Sequence, residues 1–268
     1  MSLRFFRSGG SKPPLVLVHG FTDNALYYSR LAELLAESWD VVAYDCRGHG
    51  ESAMAGGKFS DADRVNDLVG LIANVGFERP VLIGHSMGAA TIALAVAANP
   101  GLSRGIVLED PAWWEWPAGL TGKESGELLA TRLDRNAIWR ESLAKARLMS
   151  RDDAFAWRRA DAPSWSDQDI ALSLDARLQV ELDLFTYFPN AESPWRRVVP
   201  NLDCPTLLVT ADPERGAIIS ADVAAEASTL NPNIVVARVG GAGHAIRYEQ
   251  FDAFMALLMP FLDGVRRE

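Results

Sequence analysis

The chain has 268 residues, 49% of them hydrophobic, and its mean hydropathy of +0.01 is typical of a soluble globular protein. This length is enough to bury a sizeable core in one large domain or in a core with an insertion. The formal net charge of −9 argues against a nucleic-acid partner, because binding to phosphates requires clustered lysine and arginine.

The N-terminal sequence MSLRFFRSGGSKPP contains no apolar stretch that would predict a signal peptide. No run of about 18 uncharged apolar residues predicts a membrane span. Cys46 and Cys204 lack the spacing of metal ligands and suggest no disulfide framework. We therefore expect a cytoplasmic protein with reduced thiols and with no metal or cofactor. The composition leaves the formation of homo-oligomers open.

Short apolar runs bounded by turn residues recur along the chain, and runs of this length suit strands that are buried on both faces. They are LVLV (15–18), VVAY (41–44), VLIG (81–84), IVLE (106–109), TLLVT (206–210) and IVVARV (234–239). Helical patterns lie between them. This alternation predicts an α/β fold with a mostly parallel, doubly wound sheet.

The clearest helical pattern covers residues 60–76. Ser60 and Asp63 have the spacing of a capping box, and Gly76 is placed to end the helix. Apolar residues between them recur on one helical face, which predicts packing of that face against the sheet.

The alternation stops between residues 112 and 199, where helical patterns occur without convincing strands. Prolines mark both boundaries of this segment. It holds seven of the eight tryptophans, Trp113, Trp114, Trp116, Trp139, Trp157, Trp165 and Trp195. We therefore predict a core formed by residues 1–111 and 200–268, with a tryptophan-rich helical insertion at 112–199.

The sequence Gly84-His85-Ser86-Met87-Gly88 stands between an apolar run and a helical run rich in small residues. The pattern Gly-x-Ser-x-Gly in this context predicts a nucleophile elbow, in which a sharp strand-to-helix turn exposes a serine hydroxyl. Glycines flank the serine because the strained turn has no room for bulk. The amide of Met87 is then placed where an oxyanion would form. The alternative is an ordinary turn serine.

A serine nucleophile needs a base, and the chain has four histidines. His85 adjoins the serine on a tight turn and should point elsewhere, while His19 and His49 follow earlier strands. His244 follows the last predicted strand in the glycine-rich loop VGGAGHAIRYEQ, which could bring an imidazole over the sheet edge. We therefore predict His244 as the base, with a surface-loop histidine as the alternative.

Three carboxylates could orient that base. Asp212 comes just after TLLVT, Glu214 follows two residues later, and Asp110 comes directly after IVLE. We prefer them in that order, because the end of the TLLVT strand would bring Asp212 to the top of the sheet. The choice between them stays open.

A second oxyanion donor is expected in the loop after the first long strand, His19-Gly20-Phe21-Thr22. Gly20 permits close backbone approach, so the amide of Phe21 is the candidate. Its ring would then line an acyl pocket, unless it packs into the core in a plain turn.

The segments HGF (19–21), DCRGHGES (45–52), GHSMG (84–88) and the positions of Asp212 and His244 together resemble the α/β-hydrolase fold family in order and spacing. The resemblance covers about two-thirds of the chain. It implies that Ser86, His244 and Asp212 act as nucleophile, base and acid, that the amides of Phe21 and Met87 form the oxyanion hole, and that residues 112–199 form a cap. The chain departs from the family in its short N-terminal region, where LRFF is the sole candidate strand.

Serine at the nucleophile position predicts hydrolysis through an acyl-enzyme, as in carboxylesterases, on a small-molecule ester, thioester or lactone with an apolar acyl part. One alternative is a carbon–carbon bond hydrolase or perhydrolase that uses the same three residues. Another is a ligand-binding receptor of the same fold with slow turnover. The fold alone does not choose between them.

Overall fold

The computed structural model describes residues 2–54, 59–114, 122–187 and 193–266. In these ranges seven strands form one sheet in the order β1-β3-β2-β4-β5-β6-β7, and only β1 runs antiparallel to its neighbour. The strands are β1 Phe5–Arg7, β2 Pro14–Val18, β3 Asp40–Tyr44, β4 Val81–His85, β5 Gly105–Glu109, β6 Thr206–Thr210 and β7 Ile234–Arg238. The prediction of a mostly parallel α/β sheet is confirmed.

Helices cover both faces of this sheet. They are α1 Ser29–Leu35, α2 Asp61–Asn74, α3 Met87–Ala98, α4 Gly122–Ala146, α5 Arg151–Asp161, α6 Asp167–Gln179, α7 Trp195–Val198, α8 Ala221–Leu230, α9 Ile246–Glu249 and α10 Phe251–Arg266. Successive strand residues enter opposite cores: Leu82 packs in the cluster that contains residues of α2 and α3, and Ile83 packs with residues of α1 and α10. The sheet is therefore doubly wound.

Helix α2 begins and ends where the sequence predicts. The side chain of Ser60 accepts from the amide of Asp63 and the Asp63 carboxylate accepts from the amide of Ser60, which completes the capping box. Gly76 follows the helix with φ +73°, a left-handed conformation that glycine adopts without strain.

Strand β7 differs from the expectation of burial on both faces. It pairs only with β6 in the described sheet, and Val235 is 62% exposed. Strand β7 lies at the edge of the sheet, and its faces are buried only where a helix or loop packs on them. Its apolar run therefore predicts more burial than the structure shows. At the other edge, β1 is a strand of three residues paired with β3.

The described residues between β5 and β6 form helices α4 to α7 and 3-10 turns, with no strand. Trp113 stacks on Trp195 with ring centroids 5.3 Å apart, and both rings are buried, so the two ends of this segment pack together. Trp116, one of the predicted insertion tryptophans, lies outside the described residues. The boundaries at 112 and 199 stay a prediction.

No helix in the described ranges is long and apolar enough to cross a bilayer. The same part of the chain contains no group of three or more His, Cys, Asp or Glu side chains that could hold a metal ion.

Candidate active site

The register of the central strands brings Ser86 and Asp110 to the same level of the sheet. His85 at the end of β4 pairs with Glu109 at the end of β5, and each candidate residue comes one position later. The amide of Ser86 donates to the carbonyl of Glu109 at 2.9 Å, so the two strand ends stay joined. Side chains at the carboxyl ends of adjacent parallel strands meet at one edge, which is the usual place for a ligand.

Ser86 occupies a strained strand-to-helix turn. Its backbone angles are φ 52° and ψ −115°, outside the regions that a serine ordinarily adopts. A Cβ atom added to Gly84 would lie 2.7 Å from the Ala89 nitrogen, and one added to Gly88 would lie 2.1 Å from the Val18 carbonyl oxygen. Both glycines are therefore required by close backbone contacts, as a nucleophile elbow demands.

His244 faces Asp110. Its Nδ1 lies 2.6 Å from Asp110 Oδ2, and about a third of the imidazole side chain stays exposed while the carboxylate is completely buried. The same carboxylate accepts hydrogen bonds from the amides of Ile218 (2.8 Å) and Ile219 (2.9 Å). Three donors thus hold Asp110 in place, and its contact with Nδ1 leaves Nε2 as the other nitrogen of the base.

Asp212, the carboxylate that the sequence analysis prefers, has partners other than His244. Its Oδ1 accepts from the Arg238 guanidinium at 2.7 Å and its Oδ2 from the Gly241 amide at 2.8 Å. The Gly241 hydrogen bond and the positive charge of Arg238 hold the pKa of Asp212 below its usual value, against an opposing effect of desolvation. The expectation that Asp212 contacts His244 is therefore wrong in this structure, because its oxygens are used to brace the loop that precedes His244.

Glu214 lies on the exposed 3-10 turn Pro213–Arg215. The backbone of this turn packs closely on the histidine loop, because a Cβ atom at Gly243 would lie 2.3 Å from the Arg215 carbonyl oxygen. Neither of the first two preferences thus contacts the base, and the structure brings the third, Asp110, to His244.

The two candidate oxyanion donors lie on either side of the elbow. Met87 is the first residue of α3, so its amide has no acceptor within the helix. Phe21 lies in the loop after β2, and its ring packs edge-on against Phe185 (centroids 4.9 Å apart) and Trp139 (5.6 Å). The Phe21 ring therefore joins the loop after β2 to the segment between β5 and β6, and its lining of an acyl pocket stays a prediction.

Backbone strain concentrates in this region. Four non-glycine residues of the described chain have positive φ, and three of them are Thr22 (67°), Ser86 (52°) and Asp110 (38°). They lie in the loop after β2 and directly after β4 and β5. Strain of this kind persists where the surrounding structure enforces it, and it is frequent at active sites.

Comparison with known proteins agrees with this fold. The model of the alpha/beta hydrolase family matches residues 15–257, which is most of the chain. The chain belongs to the alpha/beta hydrolase family.

Two curated relatives cover nearly the whole of this hydrolase. N-formylmaleamate deformylase of Pseudomonas putida is 31% identical over 97% of this chain and 92% of its own length. 2-(Acetamidomethylene)succinate hydrolase of Mesorhizobium japonicum is 25% identical over 96% of this chain and 91% of its own length. A crystal structure of N-formylmaleamic acid deformylase from Pseudomonas putida S16 superposes with a TM-score of 0.75 at 24% identity, covering 96% and 95% of the two chains.

Two other histidines of this protein are buried, and each has a ring nitrogen that accepts from a backbone amide. Nε2 of His19 accepts from the Cys46 amide at 2.8 Å, and Nε2 of His49 accepts from the Thr22 amide at 3.3 Å. A nitrogen that accepts carries no proton, and this geometry favours a neutral ring at both positions. At His19 burial lowers the pKa, but the neighbouring Cys46 acts in the opposite direction and raises the pKa to about 9. Complete burial lowers the pKa of His49 to about 3. The elimination of both as the base thus agrees with their surroundings.

A buried ionic layer beneath the site is absent from the sequence-based prediction. Glu109, one residue before Asp110, accepts from the amide of Arg247 at 3.0 Å and from its guanidinium. Both side chains are buried, and the guanidinium lies 4.1 Å from the centroid of Tyr28. Two adjacent residues at the end of β5 therefore hold two points of the loop that carries His244: Asp110 contacts His244, and Glu109 contacts Arg247.

The segment between β5 and β6 contacts the same loop. Trp165, which follows α5, stacks on Tyr248 with centroids 4.6 Å apart, and the Tyr248 hydroxyl donates to the carbonyl of Tyr27. Trp165 therefore forms a buried contact between the segment that joins β5 to β6 and the loop that carries His244.

Proposed function

We propose that the protein is a serine hydrolase that cleaves carboxylic esters, thioesters or lactones through an acyl-enzyme. Ser86 is the nucleophile, His244 the general base and Asp110 the carboxylate that orients it. The observation that carries this proposal is the 2.6 Å contact of His244 Nδ1 with Asp110, one strand away from a serine in elbow geometry.

In the first step His244 Nε2 takes the proton of Ser86 as the hydroxyl oxygen bonds to the substrate carbonyl carbon. The amides of Phe21 and Met87 stabilise the negative carbonyl oxygen of the tetrahedral intermediate. The bond to the leaving group then breaks, and His244 returns the proton to it. Water, activated by the same base, hydrolyses the acyl-enzyme and regenerates Ser86.

A fluorophosphonate probe tests the nucleophile directly. We expect covalent labelling of Ser86 in the wild-type protein, read as a mass increase of the intact chain. Ser86→Ala should abolish both labelling and the turnover of p-nitrophenyl esters. Labelling that survives in a folded Ser86→Ala protein would contradict the proposal.

A second candidate reaction is hydrolysis of an N-acyl bond in a carboxylate-bearing substrate. Arg158 favours it: its side chain is buried, its Nε donates to Ser173 at 2.8 Å, and no carboxylate pairs with it in the described residues. Burial, together with the nearby Arg177, lowers the pKa of Arg158 to about 10. A buried cation without an anionic partner is costly, and a substrate carboxylate would neutralise it. The names of the two curated relatives describe amide substrates of this kind.

A substrate panel separates these candidates. It pairs each neutral ester, thioester or lactone with an N-formyl or N-acetyl amide that bears a carboxylate. Preference for neutral esters supports the first reaction, and preference for anionic amides supports the second. In the second case Arg158→Gln should raise KM, whereas Arg140→Gln, which changes a half-exposed arginine on α4, should not. Binding without turnover of any substrate would favour the receptor alternative.

A further inference from the structure

The fourth histidine, His85, lies at the junction of three loops of the site. It is the last residue of β4 and directly precedes Ser86. Its Nε2 lies 2.9 Å from the backbone carbonyl oxygen of His244, and its Nδ1 lies 3.4 Å from Asp23 Oδ2. Asp23 belongs to the loop after β2 that also contains Phe21. One imidazole therefore joins the segments that carry the nucleophile, the base and an oxyanion donor.

The surroundings of the two ring nitrogens define the charge of His85. A backbone carbonyl can only accept, so Nε2 must carry a proton. Nδ1 is buried, makes no hydrogen bond within the described chain, and has a carboxylate oxygen as its charged neighbour. A lone pair on Nδ1 would face that negative oxygen, so a proton on Nδ1 is favoured. His19 and His49 differ, because each has a nitrogen that accepts from an amide.

Asp23 needs this cation. Its side chain is only 10% exposed, so the negative charge of the carboxylate has little access to solvent. Burial alone would raise the pKa of Asp23, but the facing charges of His85 and Arg247 lower it. Arg247 is already bonded to Glu109, and the His85 ring, with Nδ1 3.4 Å from Oδ2, is the ion-pair partner of Asp23.

The loop after β2 packs closely against the pair formed by His85 and Asp23. A Cβ atom at Gly20 would lie 2.8 Å from Nδ1 of His85 and 2.9 Å from Oδ2 of Asp23. Gly20 precedes Phe21, the proposed oxyanion donor, so the packing of the pair against Gly20 sets the position of that amide.

We propose that His85 is a buried imidazolium, paired with Asp23, that positions the His244 loop and disfavours protonation of the His244 ring. The two imidazole centroids are 4.6 Å apart, so the charge of one acts on the other. The charged groups around His85 are Asp23, Glu109 and Arg247. The positioning role rests on the proposed function, whereas the charge state does not.

The charge state is tested without any substrate. Nitrogen-15 NMR of histidine-labelled protein near pH 7 should show both ring nitrogens of His85 protonated, with His49 as the neutral internal reference. Asp23→Asn should convert His85 to a neutral ring, while the matched variant Asp212→Asn should leave it charged. A wild-type His85 with one unprotonated nitrogen would overturn the proposal, and so would an imidazolium that persists in Asp23→Asn.

The positioning role is tested by the pH dependence of kcat/KM on whichever substrate of the panel is turned over. The substitution His85→Gln removes a positive charge near His244 and leaves the negative charge of Asp23 unpaired. Protonation of His244 therefore becomes easier. The acidic limb should move to higher pH by about 0.5 to 1 unit, with a lower kcat. A folded His85→Gln protein with an unmoved limb would overturn this role. If His85→Gln does not fold, the NMR result for Asp23→Asn decides. A protein without hydrolase activity but with a charged His85 would refute the proposed function alone.

Discussion

The ends of β5 and β6 carry two aspartates with opposite surroundings. Asp110 follows β5 directly, is completely buried, and accepts from two backbone amides and His244. Asp212 lies two residues beyond β6, and its partner Arg238 has a side chain that is 61% exposed. A carboxylate at a strand end is therefore not sufficient to orient a base. The two sites differ because Asp110 lies at the same level of the sheet as Ser86, the proposed nucleophile.

The largest expected difference between them is kinetic. Asp110→Asn should lower kcat by about 10³- to 10⁴-fold, because an amide at this position favours the wrong tautomer of His244. Asp212→Asn should leave kcat close to that of the wild type, since its carboxylate contacts Arg238 and Gly241. Circular dichroism on both variants checks that they are folded. Equal losses of kcat in the two folded variants would show that Asp110 and Asp212 do not differ in their effect on His244.

The ion pairs at the two strand ends should differ in stability. Arg247→Met leaves Glu109 buried without its guanidinium, which should cost about 3–5 kcal/mol in the free energy of unfolding. Arg238→Met removes a partner whose side chain is mostly in solvent, so its effect should be much smaller. Urea denaturation measures both. A larger loss of unfolding free energy in Arg238→Met would show that the ion pair beyond the end of β6 contributes more to stability than the one at the end of β5.

The smallest expected effect is the pH dependence at Asp212. Its folded-state pKa is lowered by the Gly241 amide and by Arg238, so the carboxylate stabilises the fold above its unfolded pKa of about 3.9. That contribution is lost as the pH falls through the lower, folded-state pKa. The stability difference between wild type and Asp212→Asn should thus be present at neutral pH and vanish in acid. A difference that grows on acidification would mean that the folded-state pKa is raised.

The strands and the elbow could be predicted from the sequence because their signals are local. Apolar runs marked the six long strands, and glycines around Ser86 marked the turn. Burial of β7 was overestimated, because an apolar run does not reveal whether a second strand lies beside it. Exposure of Val235 follows from the sheet order, which is not a local property.

The carboxylate could not be chosen from the sequence because the choice depends on strand register. Val81 pairs with Gly105, so Ser86 and Asp110, each five residues further on, lie level. The equal spacing in VLIGHS and GIVLED is the signal that could have found Asp110, once β4 and β5 are known to be neighbours. The buried layer of Asp23, His85, Glu109 and Arg247 had no such signal, because its members come from four separate segments.

The most direct test of the account is the proton between His244 Nδ1 and Asp110. Proton NMR of the wild-type protein at neutral pH should show a low-field imidazole N–H resonance for this short hydrogen bond. The account predicts that the resonance persists in Asp212→Asn and is absent in Asp110→Asn. A resonance that is lost in Asp212→Asn and retained in Asp110→Asn would contradict it.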